Sequence, residues 1–151
     1  MCSSRALYEE VILDHNKKPR NFYPMEDADH TIEGFNPLCG DHFTIYLKLN
    51  GEIIQEISFH GAGCAISKSS ASVMTTLLKG KTVKEAEKLF EHFHHMITSA
   101  TDAELDDKTL GKLMVFSGVR EYPVRIKCAT LAWHALISGL HGEGKAPVST
   151  E

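Results

Sequence analysis

Three cysteines and one aspartate carry the residue types from which chemistry could be built. Cys39 and Asp41 stand two residues apart in "NPLCGD", Cys64 lies in "GAGCAIS", and Cys128 lies in "RIKCATLAW". Three thiols and a carboxylate are four donors, the number that zinc takes in tetrahedral geometry from sulfur, nitrogen and oxygen. The spacing alone leaves two readings open, because there is no CxxC pair and the third cysteine is far from the second. One is a shared metal site. The other is three cysteines buried as small hydrophobes, with Asp41 as a turn residue. Cys2, near the start of the sequence, is read as incidental.

The elements around these residues favour convergence. Phe43, Ile45, Leu47 and Leu49 alternate with polar neighbours, and Ile53, Ile57 and Phe59 share one parity after Asn50-Gly51. That is a β-hairpin pattern. A three-residue loop, Asn50-Gly51-Glu52, pairs Leu49 with Ile53, Ile45 with Ile57 and Phe43 with Phe59, placing the apolar residues on one face. A two-residue loop at Asn50-Gly51 would set Phe43 opposite Ser58. The apolar match predicts the three-residue loop. In either register the open end of the hairpin gathers Cys39, Asp41 and Cys64.

Helices are expected on both sides of the hairpin. Leu7, Val11 and Ile12 recur at helical spacing between Ser4 and Lys17, and Pro19 ends the run. His30 to Phe35 reads as a short edge strand. The Ala- and Ser-rich stretch after Cys64 reads as a helix stopped near Gly80, with Ser69, Ser70 and Ser72 allowing close packing. Thr82 and Glu85 form a capping-box pattern for a helix that turns Val83, Ala86, Leu89, Phe90 and Phe93 inward. A polar excursion from His94 to Gly118 holds a predicted helix over Asp106 to Phe116. A last helix starts near Pro123, with Val124, Cys128, Leu131, Ala135 and Leu136 on one side and Trp133 as an anchor. Cys64 and Cys128 thus fall at or near helix N-termini, which favours thiolate over thiol. Arg125 and Lys127 flank Cys128 and could offset negative charge there. His92, His94 and His95 do not share a helix face well and read as a solvated helix end.

The bulk numbers bound the rest. A chain of 151 residues holds one domain with a real core and is short for two. That domain is taken as residues 1–141, followed by a flexible tail over 142–151. A net charge of −4 argues against a nucleic-acid partner, since phosphate binding wants a basic surface. No apolar run approaches the ~18–20 residues of a membrane span, and the N-terminal stretch lacks the apolar core of a signal peptide. The expected location is the cytoplasm, where reducing conditions turn clustered cysteines toward metal or redox chemistry rather than disulfides.

The three cysteine motifs, together with "DHNKKPRN" at Asp14–Asn21, resemble the iron–sulfur cluster assembly proteins of the IscU/NifU N-terminal group, over about Ala6 to Leu140. The resemblance implies an α+β fold: a three-stranded antiparallel sheet packed against about five to six helices, with a metal site at one end. Lys127 stands where IscU scaffolds carry histidine. Glu121-Tyr122-Pro123-Val124-Arg125 replaces their LPPVK segment, and a segment is added between the second and third cysteines. These features are similar to the SufU branch. That likeness implies a zinc-dependent sulfurtransferase in the SUF system, with Zn2+ held by Cys39, Asp41, Cys64 and Cys128. Cys39 would accept persulfide sulfur from a SufS-type cysteine desulfurase, with Asp41, Arg125 and Lys127 assisting, and pass it to downstream Suf assembly machinery. The alternative is an IscU-like scaffold on which an iron–sulfur cluster is built. A domain with purely structural zinc is a third reading, which the exchangeable carboxylate of Asp41 disfavours.

Overall fold

The structure is a computed structural model, and it describes residues 3–37, 40–100, 107–141 and 148–149. Its elements are α1 (Ser3–Lys17), β1 (His30–Asn36), β2 (Asp41–Asn50), β3 (Ile53–Ala62), α2 (Ala65–Leu78), α3 (Val83–Thr98), α4 (Asp107–Leu110), a 3-10 helix (Gly111–Glu121), α5 (Pro123–Leu140) and β4 (Val148–Ser149). β1, β2 and β3 form an antiparallel meander, and the sheet order is β3-β2-β1-β4. This is the expected three-stranded antiparallel sheet on helices, extended by one short edge strand. Its two residues, Val148 and Ser149, pair parallel with Gly34 and Phe35. They fall in the segment read as a flexible tail and use the free backbone groups of the outer edge of β1. The other tail residues lie outside those described.

One face of the sheet is the core. Ile32 of β1, Phe43, Ile45 and Leu47 of β2, and Ile57 and Phe59 of β3 are buried on it. α5 and α2 cover that face, and α1, α3 and the 3-10 helix pack outside them. Gly139 lets α5 lie close to the sheet, since a Cβ there would run into Ile32. Trp133 is fully buried between Phe90 and Phe93, the anchor expected of it.

The hairpin register differs from the expected one. Asn50 pairs with Ile53 around a two-residue turn, Gly51-Glu52, with Gly51 at φ +64°. A bulge then adds Gln55 to β3, so that Leu47 faces Ile57, Ile45 faces Phe59 and Phe43 faces Gly61. Phe43 and Phe59 are diagonal neighbours, with ring centroids 5.7 Å apart. The cause is tertiary. The Ile54 N–H donates to Lys81 O and the Ile54 carbonyl accepts from Gly80 N–H, both at 2.8 Å, which pins the turn against the end of α2. The bulge puts Ile54 and Ile57 on the buried side while Ile53 is exposed, so one extra residue restores the apolar face.

The helices need smaller corrections. The Thr82–Glu85 capping box is present with both reciprocal bonds. The segment predicted as a helix over Asp106–Phe116 is one α-turn followed by a 3-10 helix that runs on to Glu121, burying Leu113, Val115, Phe116 and Val119. Leu7, at helical spacing with Val11 and Ile12, and Val124, on the same side of its helix as Cys128 and Leu131, are 56% and 53% exposed. The serines of α2 do more than save space. The Ser70 hydroxyl donates to Ala129 O of α5, and Ser72 bonds His15 of α1.

Candidate metal centre

The core-facing row of β2 runs Leu47, Ile45, Phe43 and ends in Asp41; that of β1 runs Ile32, Gly34 and ends in Asn36. Asn36 and Asp41 are cross-strand partners. Period two therefore turns both polar side chains inward at the end of the sheet, where each is 0% exposed. Cys64 is the N-cap of α2, and its Sγ accepts from Ser67 N–H at 3.4 Å. Cys128 lies in the second turn of α5 and is buried.

One oxygen of Asp41, one Sγ of Cys64 and one Sγ of Cys128 all lie within 4.8 Å of one another. Asp41 Oδ1 accepts from Cys64 N–H at 2.8 Å, which locks the carboxylate to the start of α2. Gly63 makes room for that contact: a Cβ there would come within 2.7 Å of Asp41 Oδ1 and 2.6 Å of the Phe43 ring. The Cys64 Sγ is 4.0 Å from Asp41 Oδ2. Three elements far apart in sequence are thus aimed at one point.

The electrostatics differ from the expectation drawn from helix ends. Burial pushes the Cys64 thiol above its ordinary pKa, and the nearby Asp41 charge adds to this, against the Ser67 N–H and a hydrogen bond with Cys128. The helix end alone does not make Cys64 a thiolate. A cation at the centre of the three donors would. The donor set is two sulfurs and a carboxylate, buried or half-buried, whose hydrogen-bond donors include the backbone N–H groups of Cys64 and Ser67 and the Asn36 amide. Such a concentration of acceptors fits a soft-to-borderline divalent cation.

The remaining predicted site residues divide. Cys39 lies outside the described residues; it belongs to the connection between Asn36 and Asp41, the closing pair of the β1–β2 hairpin. Arg125 is exposed, its guanidinium 4.9 Å from the centroid of the Tyr122 ring. Both line a groove of about 730 Å³ that also takes in Leu13, Val124, Cys64 and Cys128. Lys127 is half-buried and does not line that groove. Of the three histidines read as a helix end, His94 and His95 are exposed; His94 lies near His134, ring centroids 5.9 Å apart. Asn36 was missed by the sequence reading. Its amide nitrogen is 3.2 Å from Asp41 Oδ2 and 3.4 Å from Cys128 Sγ. The available signal was its parity with Ile32 and Gly34, which places a polar residue on the core side of a strand.

The comparisons with known proteins bear on this arrangement. Residues 7–129 match the NifU-like N terminal domain. The chain belongs to that family. It is 41% identical over 139 residues to a protein of Bacillus subtilis named zinc-dependent sulfurtransferase SufU, covering 91% of this chain and 92% of that one. It is 34% identical over 145 residues to an iron–sulfur cluster assembly scaffold protein IscU of Streptococcus pyogenes, covering 96% and 89%. Among solved structures, a putative iron–sulfur cluster assembly scaffold protein for the SUF system from Fervidobacterium islandicum superposes with a TM-score of 0.82 at 36% identity, covering 91% of this chain and 98% of that one. Among the described residues, no helix is long and apolar enough to cross a membrane.

Proposed function

We propose that this protein is a zinc-dependent sulfurtransferase of iron–sulfur cluster assembly, with Cys39, Asp41, Cys64 and Cys128 as the metal ligands and Cys39 as the sulfur acceptor. The observation that carries this reading is the placement of a fully buried carboxylate, Asp41, against two thiols from separate helices, in a chain so similar to a zinc-dependent sulfurtransferase. A carboxylate is a harder and more exchangeable ligand than a fourth thiolate, which suits a site whose ligands must come and go.

Zinc, when bound, would keep the thiols deprotonated and permit ligand exchange without redox chemistry of its own. The chain's own residues do the rest. Asp41, tied to the Cys64 N–H, stays in place while Cys39 is away. The Cys39 thiolate attacks the outer sulfur of a persulfide on a SufS-type cysteine desulfurase. The S–S bond of that persulfide breaks, a new S–S bond forms at Cys39, and the desulfurase cysteine leaves as thiolate, so no external oxidant or reductant is needed. Arg125, on the groove beside Cys64 and Cys128, offers a cation to the charge that shifts in this exchange. Lys127 serves the same balance from its half-buried position.

The scaffold reading draws on the IscU relatives. Lys127 speaks against it, since a protonated ammonium preceding Cys128 has no lone pair to give a cluster iron. The test has two parts. Metal analysis of freshly purified protein should find about one zinc per chain, and a desulfurase should release alanine from cysteine much faster in its presence. A stoichiometric cluster that transfers intact to an apo-acceptor would replace this reading by the scaffold one.

A further inference from the structure

Asn36 is a buried amide in an unusual position. An amide nitrogen has two hydrogens and no free lone pair, and Asn36 Nδ2 faces two acceptors, Asp41 Oδ2 at 3.2 Å and Cys128 Sγ at 3.4 Å. Its own carbonyl oxygen, Oδ1, is buried and has no hydrogen-bond partner. An orphaned buried acceptor is costly to leave in place. Flipping the amide would turn Oδ1 toward a carboxylate oxygen and a sulfur, both acceptors when a metal is held. The orientation that leaves Oδ1 unmatched is therefore the one that a ligated carboxylate and thiolate require. Local rules of polar satisfaction are broken in this way where a site demands it.

The position of Asn36 also matters. Asp41 is bound to α2 through the Cys64 N–H, and Asn36 binds Asp41 to Cys128 on α5. One side chain on β1 thus links ligands from the sheet and from α5. We propose that Asn36 is a positioning residue of the metal centre: its two amide protons hold Asp41 and Cys128 aimed at the metal while another ligand leaves and returns. This rests on the metal reading above and adds to it a residue that touches no metal itself. Hydrogen bonds to ligands are worth about 10–100-fold in metal affinity in comparable sites.

The test uses two substitutions and one measurement on the unaltered protein. Asn36→Asp is nearly isosteric and replaces both donors by acceptors; Asn36→Leu removes polarity altogether. Zinc affinity, read by competition with a chromogenic chelator, should fall at least tenfold in each. Wild-type protein loaded with cadmium-113 needs no variant to fold. Its Asn36 side-chain amide protons should exchange slowly with solvent, and at least one should couple to the cadmium through the Cys128 sulfur. Fast exchange of both protons with no coupling overturns the proposal. So does zinc affinity within twofold of wild type in a variant that folds. Wild-type protein that holds no zinc overturns the metal reading and this inference together; wild-type protein that holds zinc no more tightly than the variants overturns the role of Asn36 alone.

Discussion

Two buried polar clusters lie on opposite ends of α2, and they are built on opposite rules. Toward the middle and C-terminal end, His15 Nδ1 and Ser72 Oγ share a 2.7 Å hydrogen bond, Arg20 N–H donates to the same Ser72 oxygen, and Asn21 Nδ2 donates to Thr75 Oγ1 at 3.0 Å. Asn21 holds a left-handed backbone, φ +54°, and its carbonyl accepts from Phe59 N–H. Donors and acceptors alternate there, and the cluster latches α1 and the following segment onto α2 and β3. At the N-terminal end, Asp41, Cys64 and Cys128 crowd acceptors together, and Asn36 leaves its own carbonyl unmatched. The first cluster pairs its groups internally, whereas the second gathers three groups that could hold a metal ion and leaves the Asn36 carbonyl unmatched. A buried network that satisfies itself is architecture; one that gathers two thiols and a carboxylate within reach of one point could hold a cation.

The comparison breaks most visibly at Cys39, the thiol proposed to accept sulfur. Cys39→Ala should abolish stimulation of a SufS-type desulfurase, measured as alanine release, and mass spectrometry of trapped persulfide should place the added sulfur on Cys39 in wild type. Full stimulation by the variant, or sulfur found only on Cys2, Cys64 or Cys128, would sink that assignment. The next effect is metal retention. Cys64→Ala and Cys128→Ala each remove a donor from the acceptor-rich cluster and should lower bound zinc by tenfold or more at a fixed chelator concentration, whereas Ser72→Ala should leave zinc binding at the wild-type level.

The His15 cluster should answer to pH instead. Burial lowers the His15 pKa from 6.5 to about 4, with the Arg20 and Lys112 charges adding to the effect and Asp14 opposing it. The unfolded chain therefore binds a proton more readily than the folded one. The stabilisation is complete above about pH 6.5 and is lost as pH falls toward 4. Urea unfolding of metal-free protein, which separates this from proton competition at the metal ligands, should show it, and His15→Gln should flatten the curve. A wild-type profile level between pH 7 and 4.5 would mean that His15 is not held neutral by its surroundings. The smallest effect belongs to neither cluster. Gly51→Ala at the far end of the sheet forces a side chain into the left-handed region and should cost about 1 kcal/mol of stability with no change in zinc affinity. A change in zinc affinity there would contradict the separation of the two ends.

Much of this was legible along the chain because local rules act over a few residues. Strict alternation predicts β2, and a capping box predicts the start of α3. The resemblance carried by the three cysteine motifs predicts the meander on helices. The hairpin register was not legible. The apolar residues match well in the wrong pairing, and the bulge at Gln55 exists because Ile54 is bonded to Gly80 and Lys81, which no period-two pattern reports. The 3-10 helix was hidden for a similar reason: its apolar spacing suits either helix type, and burial of Leu113, Phe116 and Val119 against neighbours selects the tighter one.

The sequence by itself determined which groups could bind a metal and that the end of a sheet would collect Asp41 and Cys64, because thiol and carboxylate chemistry and the pleat are properties of residues and their nearest neighbours. It did not determine the role of Asn36, the raised thiol of Cys64 or the arrival of Cys128. Those depend on how deeply α5 settles onto β1, on the water this excludes and on which acceptors then face one another. Desolvation and orientation arise only when distant segments pack, so they were decided by the tertiary structure.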